Sequence, residues 1–127
     1  MNDFDITDIE ALVSAEVRKL GITHVWNNRP KATDDSISDF VVVRVSGGIT
    51  DKAAFGQCRL SIYIYVRDVK GMKNAKKLSV IYKKIEGLPL WIDPLLIDGH
   101  PRIVGDTPDD FGFHCRIINY RVTIKTA

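Results

Sequence analysis

The sequence predicts an α+β domain: an antiparallel sheet of about four to five strands, with two amphipathic helices packed on one of its faces. Three observations predict it. Two segments, one near the start and one in the middle, carry apolar residues at helical spacing on one side only. Between Cys58 and Arg67 the residues alternate strictly, as a strand with one covered face does. The length of 127 residues suits one domain spanning 1–127, and 45% hydrophobic against 27% charged is an ordinary globular balance. Stripe-bearing helices and strands with one polar side together imply a sheet covered on one side.

The first helix opens at Thr7-Asp8-Ile9-Glu10, which has the T-x-x-E form of a capping box. Ile9, Leu12, Val13, Val17 and Leu20 follow on one face, and Gly21 supplies the left-handed stop. Ile22 to Trp26 reads as a short extended piece, ended by Asn27-Asn28-Arg29-Pro30. Lys31 to Asp39 is a polar loop. Phe40 to Val45 is β-branched and reads as a strand, broken at Ser46-Gly47-Gly48 by flexible glycines.

In the alternating segment, Cys58, Leu60, Ile62, Ile64 and Val66 share one side, and Arg59, Ser61, Tyr63, Tyr65 and Arg67 the other. The second helix runs from Asn74, a competent N-cap, to Glu86, with Gly87 closing it. Its stripe is Ala75, Leu78, Ile81, Tyr82 and Ile85. Asp98-Gly99 is a tight-turn signal that predicts a small hairpin of Leu95–Ile97 with Arg102–Val104, and Gly105 to Asp110 reads as a loop. Phe111 to Lys125 is the last strand. Its apolar positions change phase between Ile117 and Ile118, which predicts a bulge or bend there.

Charge and sulfur narrow the chemistry. The formal charge is +2, made of an acidic start (Asp3, Asp5, Asp8, Glu10) and a run from Arg67 to Lys84 that holds seven basic residues against Asp68. The helix lysines read first as a solvated face. Cys58 and Cys115 sit in strand-like segments as small hydrophobes, and His24, His100 and His114 have no metal-ligand spacing with them, so no metal or cofactor is expected. Asp34-Asp35 and Asp109-Asp110 read as loop aspartates, and His114 beside Cys115 would point to the opposite face. No catalytic residue is nominated, and no enzyme is expected. The acidic, polar start is not a secretory signal, and no apolar run reaches a membrane-span length; the expected location is cytoplasmic, without a membrane partner.

Two surfaces remain to be used. Arg59, Tyr63, Tyr65 and Arg67 on the open sheet face, and Leu90, Trp91, Ile92 and Leu95 after the second helix, are of the residue types that interfaces favour. The apolar stretch from Leu90 to Ile97 could equally fold over the domain's own core. In the alternative, the Tyr/Arg face, extended by Asn119, Arg121, Thr123 and Lys125, would stack and pair with nucleic acid. Lys73, Lys76, Lys77 and Lys84, in and just before the second helix, would add charge.

Gln57–Arg67, followed by Gly71–Leu88 and closed by Phe111–Lys125, give a strand, a helix and a return strand. In this order of elements the chain resembles the tail-terminator or tail-completion (head–tail joining) proteins of long-tailed bacteriophages. The resemblance implies a non-enzymatic structural protein that forms a ring, commonly a hexamer, capping the tail tube and joining it to the head. It implies self-association as a homo-oligomer, tail-tube or head–tail connector proteins as partners, and passage from the host cytoplasm into the virion.

Overall fold

A computed structural model describes residues 5–30, 34–47 and 55–125; for Phe55 and Lys125 it describes the backbone alone. Asp3, the beginning of the Lys31 loop and Gly48 lie outside these residues. The elements are α1 (Ile6–Lys19), β1 (Val25–Trp26), β2 (Asp39–Ser46), β3 (Phe55–Arg67), α2 (Ala75–Ile85), β4 (Trp91–Ile92), β5 (Leu95–Ile97), β6 (Arg102–Pro108) and β7 (Phe113–Lys125). The α+β class stands as expected. The sheet is larger, with seven strands in the order β1-β2-β3-β7-β5-β4 and β6 also on β7. It is also not wholly antiparallel, because β1 runs parallel to β2.

Helix α1 starts two residues earlier than the T-x-x-E signature suggests. Asp5 is the N-cap, accepting from the Asp8 amide at 3.0 Å, while the Asp8 carboxylate accepts from the Asp5 amide at 2.8 Å. The box therefore uses two aspartates and leaves Thr7 exposed. Gly21 has φ of +90°, a conformation that side chains with a Cβ rarely adopt, and it ends the helix as expected. In α2 the Asn74 side chain accepts from the Lys77 amide at 3.2 Å.

Ile9, Val13 and Val17 of α1 and Leu78, Ile81 and Ile85 of α2 are buried against one face of the sheet. That face supplies Val41, Val43 and Val45 of β2, Leu60, Ile62 and Ile64 of β3, and Ile118, Val122 and Ile124 of β7. Each such side chain contributes about 1.5–3 kcal/mol by leaving water. Where the short β1 ends, side chains complete the edge of β2. The Asn27 amide donates to the Val43 carbonyl at 3.2 Å, and Glu10 accepts from the Val45 amide at 2.8 Å.

Two expectations fail for instructive reasons. The strand β7 contains no bulge: it pairs with β3 in unbroken register from Phe113↔Arg67 to Lys125↔Phe55. Its apolar phase changes because the buried side chains of β7 itself lie on opposite faces at its two ends, with the polar His114 and Arg116 on the helix side at the Phe113 end. Phe113 and Cys115 are covered on the face away from the helices, whereas Ile118, Val122 and Ile124 lie under them. The second failure is the hairpin at Asp98-Gly99. Segments β5 and β6 lie in line along the same edge of β7, opposite Ile124–Val122 and Asn119–His114 respectively. Between them the Asp98 amide stays bonded to the Arg121 carbonyl at 2.9 Å, and the Asp98 carboxylate accepts from the His100 amide at 2.9 Å. Four residues thus loop out of an edge strand without reversing it. The reversal comes later, at Asp109–Gly112, where Gly112 has φ of +83° and β6 turns back into β7. A true irregularity does exist, in β6 between Val104 and Thr107.

Candidate interaction surface

The face away from the helices is built of cross-strand rows. At the Phe113 end it is closed by its own side chains. Phe40, Val42 and Phe113 form a second small core, with Trp26, Ile37, Tyr63 and Tyr65 packed against it. Tyr65 stacks on Phe40 with centroids 4.7 Å apart and 14° between planes, and Phe113 meets Phe40 edge-on at 5.3 Å. The Arg29 guanidinium lies 4.7–5.2 Å from the centroids of Phe40, Tyr65, Phe111 and Phe113. It also donates to the Asp109 carboxylate at 2.9 Å. Arg67 lies 4.5 Å from the Phe113 ring and donates to the backbone carbonyls of Ile37 and Asp34 at 3.1 and 3.2 Å. Burial pushes the Cys115 thiol up to about 12 and raises the Tyr65 hydroxyl as well.

Further along the same strands the face opens. One row runs Arg44, Ser61, Asn119, Arg102 across β2, β3, β7 and β6; the next runs Ser46, Arg59, Arg121. Ser61 donates to the Asn119 side-chain carbonyl at 2.7 Å. A cleft of about 720 Å³ lies here, with Arg59, Arg102, Arg121, Asp98, His100 and Asn119 among its walls. Hydrogen bonding by the His100 amide holds the Asp98 carboxyl below the usual carboxylate range.

The third region is an apolar rim on β4 and β5. Trp91 is 76% exposed, Leu96 58% and Leu90 46%. Ile92 is half-buried against the main core, and Leu95 is fully buried in it. The stretch from Leu90 to Ile97 therefore both covers the core and presents a surface, divided by strand alternation. Leu95 is not available as a contact residue, which corrects its place among the interface candidates.

The remaining candidates divide as follows. Arg59 is exposed, Tyr63 is half-buried beside Tyr65, and Tyr65 and Arg67 are engaged within the fold. The lysines of α2 lie over the opposite face of the sheet from Arg59 and Tyr63, so one flat ligand on the Tyr/Arg face does not reach them. Lys73 pairs with Asp106 at 3.4 Å, Lys77 with Asp39 at 3.1 Å, and Lys84 donates to the Gly21 carbonyl at 3.4 Å. Lys76 has no partner among the described residues. On that helix side Arg116 grips Asp106 with two hydrogen bonds, of 2.7 and 3.0 Å, and its hydrogen bonding holds that carboxyl low. His114 Nδ1 lies 2.6 Å from Asp68 Oδ1, with Cys115 on the other face. Cys58 and Cys115 pair with Val122 and Tyr65, near opposite ends of the β3–β7 ladder.

Sequence reasoning missed Arg29, Asp109 and Arg102. Nothing local marks the first two as a pair, since eighty positions separate them. Arg102 reads in the sequence as part of a hairpin, whereas it lies opposite Asn119 on the open face.

No protein-family model and no curated protein matches the sequence. Among the solved structures that are similar, one of a protein whose name states no role matches with a TM-score of 0.54 and 14% identity, over 94% of this chain and 92% of that one. A likeness at that identity shows the fold alone.

Proposed function

We propose that this protein is a non-enzymatic structural subunit that associates with copies of itself into a closed ring. The observation that carries the reading is the placement of exposed apolar side chains. Leu90, Trp91 and Leu96 stand at the end of the sheet where β5 pairs with Val122 to Ile124. Val69 and Met72, the latter 71% exposed, stand at the other end, where the Asp68 amide bonds the Gly112 carbonyl. The β7 strand that runs between them has 13 residues and spans about 40 Å. Two different apolar patches at opposite ends suit a head-to-tail contact, which closes into a ring when the rotation permits. The outer edge of β6, with Ile103 and Val104 exposed on its two faces, extends the rim and offers unpaired backbone groups beside it.

The biological setting follows from the order of elements, which resembles the tail-terminator and tail-completion proteins. In that setting the ring sits at the head–tail joint, and its partners are tail-tube or connector proteins. Sedimentation velocity over rising concentration tests the assembly. The expected result is a species at a fixed multiple of 14.3 kDa, returned to monomer by Trp91→Glu with an unchanged circular dichroism spectrum. A wild-type chain that stays monomeric at millimolar concentration overturns it.

A further inference from the structure

The chain has eight arginines. Five of them make hydrogen bonds within the fold: Arg18 to the Val25 carbonyl, Arg29 to Asp109, Arg44 to Asn28, Arg67 to Ile37 and Asp34, and Arg116 to Asp106. The other three, Arg59, Arg102 and Arg121, have neither a hydrogen bond nor an ion pair among the described residues. All three line the same cleft.

Their arrangement is costly unless something anionic answers it. Arg59 and Arg121 are direct cross-strand partners, a position where like charges repel. Arg102 faces Asn119 one row away. Asp98 is the one carboxylate among the cleft's walls; the His100 amide holds it at 2.9 Å, with the His100 ring Nδ1 at 3.4 Å. It answers Arg121 only at longer range, leaving one carboxylate against three guanidinium groups. The donor surplus comes from the three guanidinium groups, which donate only, since Ser46 and Gln57 can both donate and accept. Ser61 occupies the Asn119 carbonyl, so the Asn119 amino group has no partner among the described residues, and Gln57 and Ser46 stand at the border.

We propose that this cleft binds the phosphate groups of a single-stranded nucleic-acid backbone. Guanidinium forks match phosphate oxygens in geometry, and a surplus of donors over acceptors suits a ligand that only accepts. The three arginines come from adjacent strands about 4.8 Å apart and lie in an open cleft across the sheet. That spread fits successive phosphates of a strand better than one enclosed ion. Tyr63, half-buried one row away in register with Ile117, offers a ring face to a base. This reading is independent of ring formation and uses none of the α2 lysines.

Fluorescence anisotropy with a labelled twelve-residue oligothymidylate tests it. Binding is expected at low salt, with a log–log salt slope of about −2, from three phosphates at about 0.7 each. Arg121→Gln and Arg59→Gln should each weaken binding severalfold and reduce the slope by about 0.7. Lys76→Gln, on the opposite side of the sheet, should leave it unchanged. Arg102→Gln, on the sheet edge, repeats the test should either core-strand variant fold poorly. Three outcomes overturn the proposal. One is no binding at 20 mM salt and about 100 μM protein. Another is equal loss in Lys76→Gln. The third is displacement of the oligonucleotide by 1 mM inorganic phosphate or by polyglutamate at equal charge, which reassigns the cleft to a lone phosphate or to an acidic chain.

Discussion

Arg67 and Arg59 lie on one strand, point to one face, and are separated by a whole number of alternations, yet they do opposite things. Arg67 rests on the Phe113 ring and ties down two backbone carbonyls. Arg59 faces Arg121 across the ladder with no partner among the described residues. The same contrast holds on the loops and edges around them. At the Phe113 end, Arg29 lies against four aromatic rings and bonds Asp109. At the cleft, Arg102 meets only the open row. One end of the face works as a second core, with guanidinium groups in place of a covering helix. At the other end Arg59, Arg102 and Arg121 line an open cleft and make no hydrogen bond or ion pair among the described residues. A residue type therefore carries no fixed meaning on a sheet face; its neighbours in the adjacent rows decide.

The contrast can be broken first where its energy is greatest. Replacing Arg29 by Gln removes an ion pair with only 16% of the arginine side chain exposed, together with its ring contacts. Urea denaturation should show a loss of about 2–3 kcal/mol. A change below 0.5 kcal/mol would mean that the aromatic end closes without its guanidinium cover.

A smaller effect is expected on the helix side. Asp106, whose carboxyl Arg116 holds below the ordinary range, contributes stability that is fully present above the unfolded value of about 3.9. That contribution is lost as pH falls from there through the lower folded value. Asp106→Asn should cost about 1.5–2 kcal/mol at pH 7 and flatten the fall in stability below pH 4. An acid limb identical to that of the wild type would place the sensitivity on other carboxylates.

These energies explain what was legible in the sequence and what was not. The alternation of β3 was read correctly because one of its sides is covered along its length, from Cys58 to Val66. The helices were legible because α1 and α2 each bury one stripe. The phase change in β7 is visible in the sequence but does not mark a bulge, since a single strand does not reveal that a second small core covers the far face at one end only. Asp98-Gly99 carried a sound local turn signal. It was overridden because β7 is long enough to hold both β5 and β6 on one edge. Of the surface, Arg59 and Trp91 were legible as exposed, but Tyr65 and Arg67 were not legible as engaged. Their partners Phe40, Phe113 and the Ile37 carbonyl come from distant parts of the chain.

The smallest predicted effect is the most direct test of the division between the two ends. Arg121→Gln removes a charge that faces Arg59 and makes no hydrogen bond or close ion pair among the described residues, with only a screened attraction to the exposed Asp98. Urea denaturation at micromolar protein should therefore show stability within about 0.5 kcal/mol of the wild type, because the repulsion from Arg59 and the attraction to Asp98 offset each other at an exposed site. A loss above about 1 kcal/mol, comparable with that of Arg29→Gln, would show that the cleft arginines support the fold and would contradict the account.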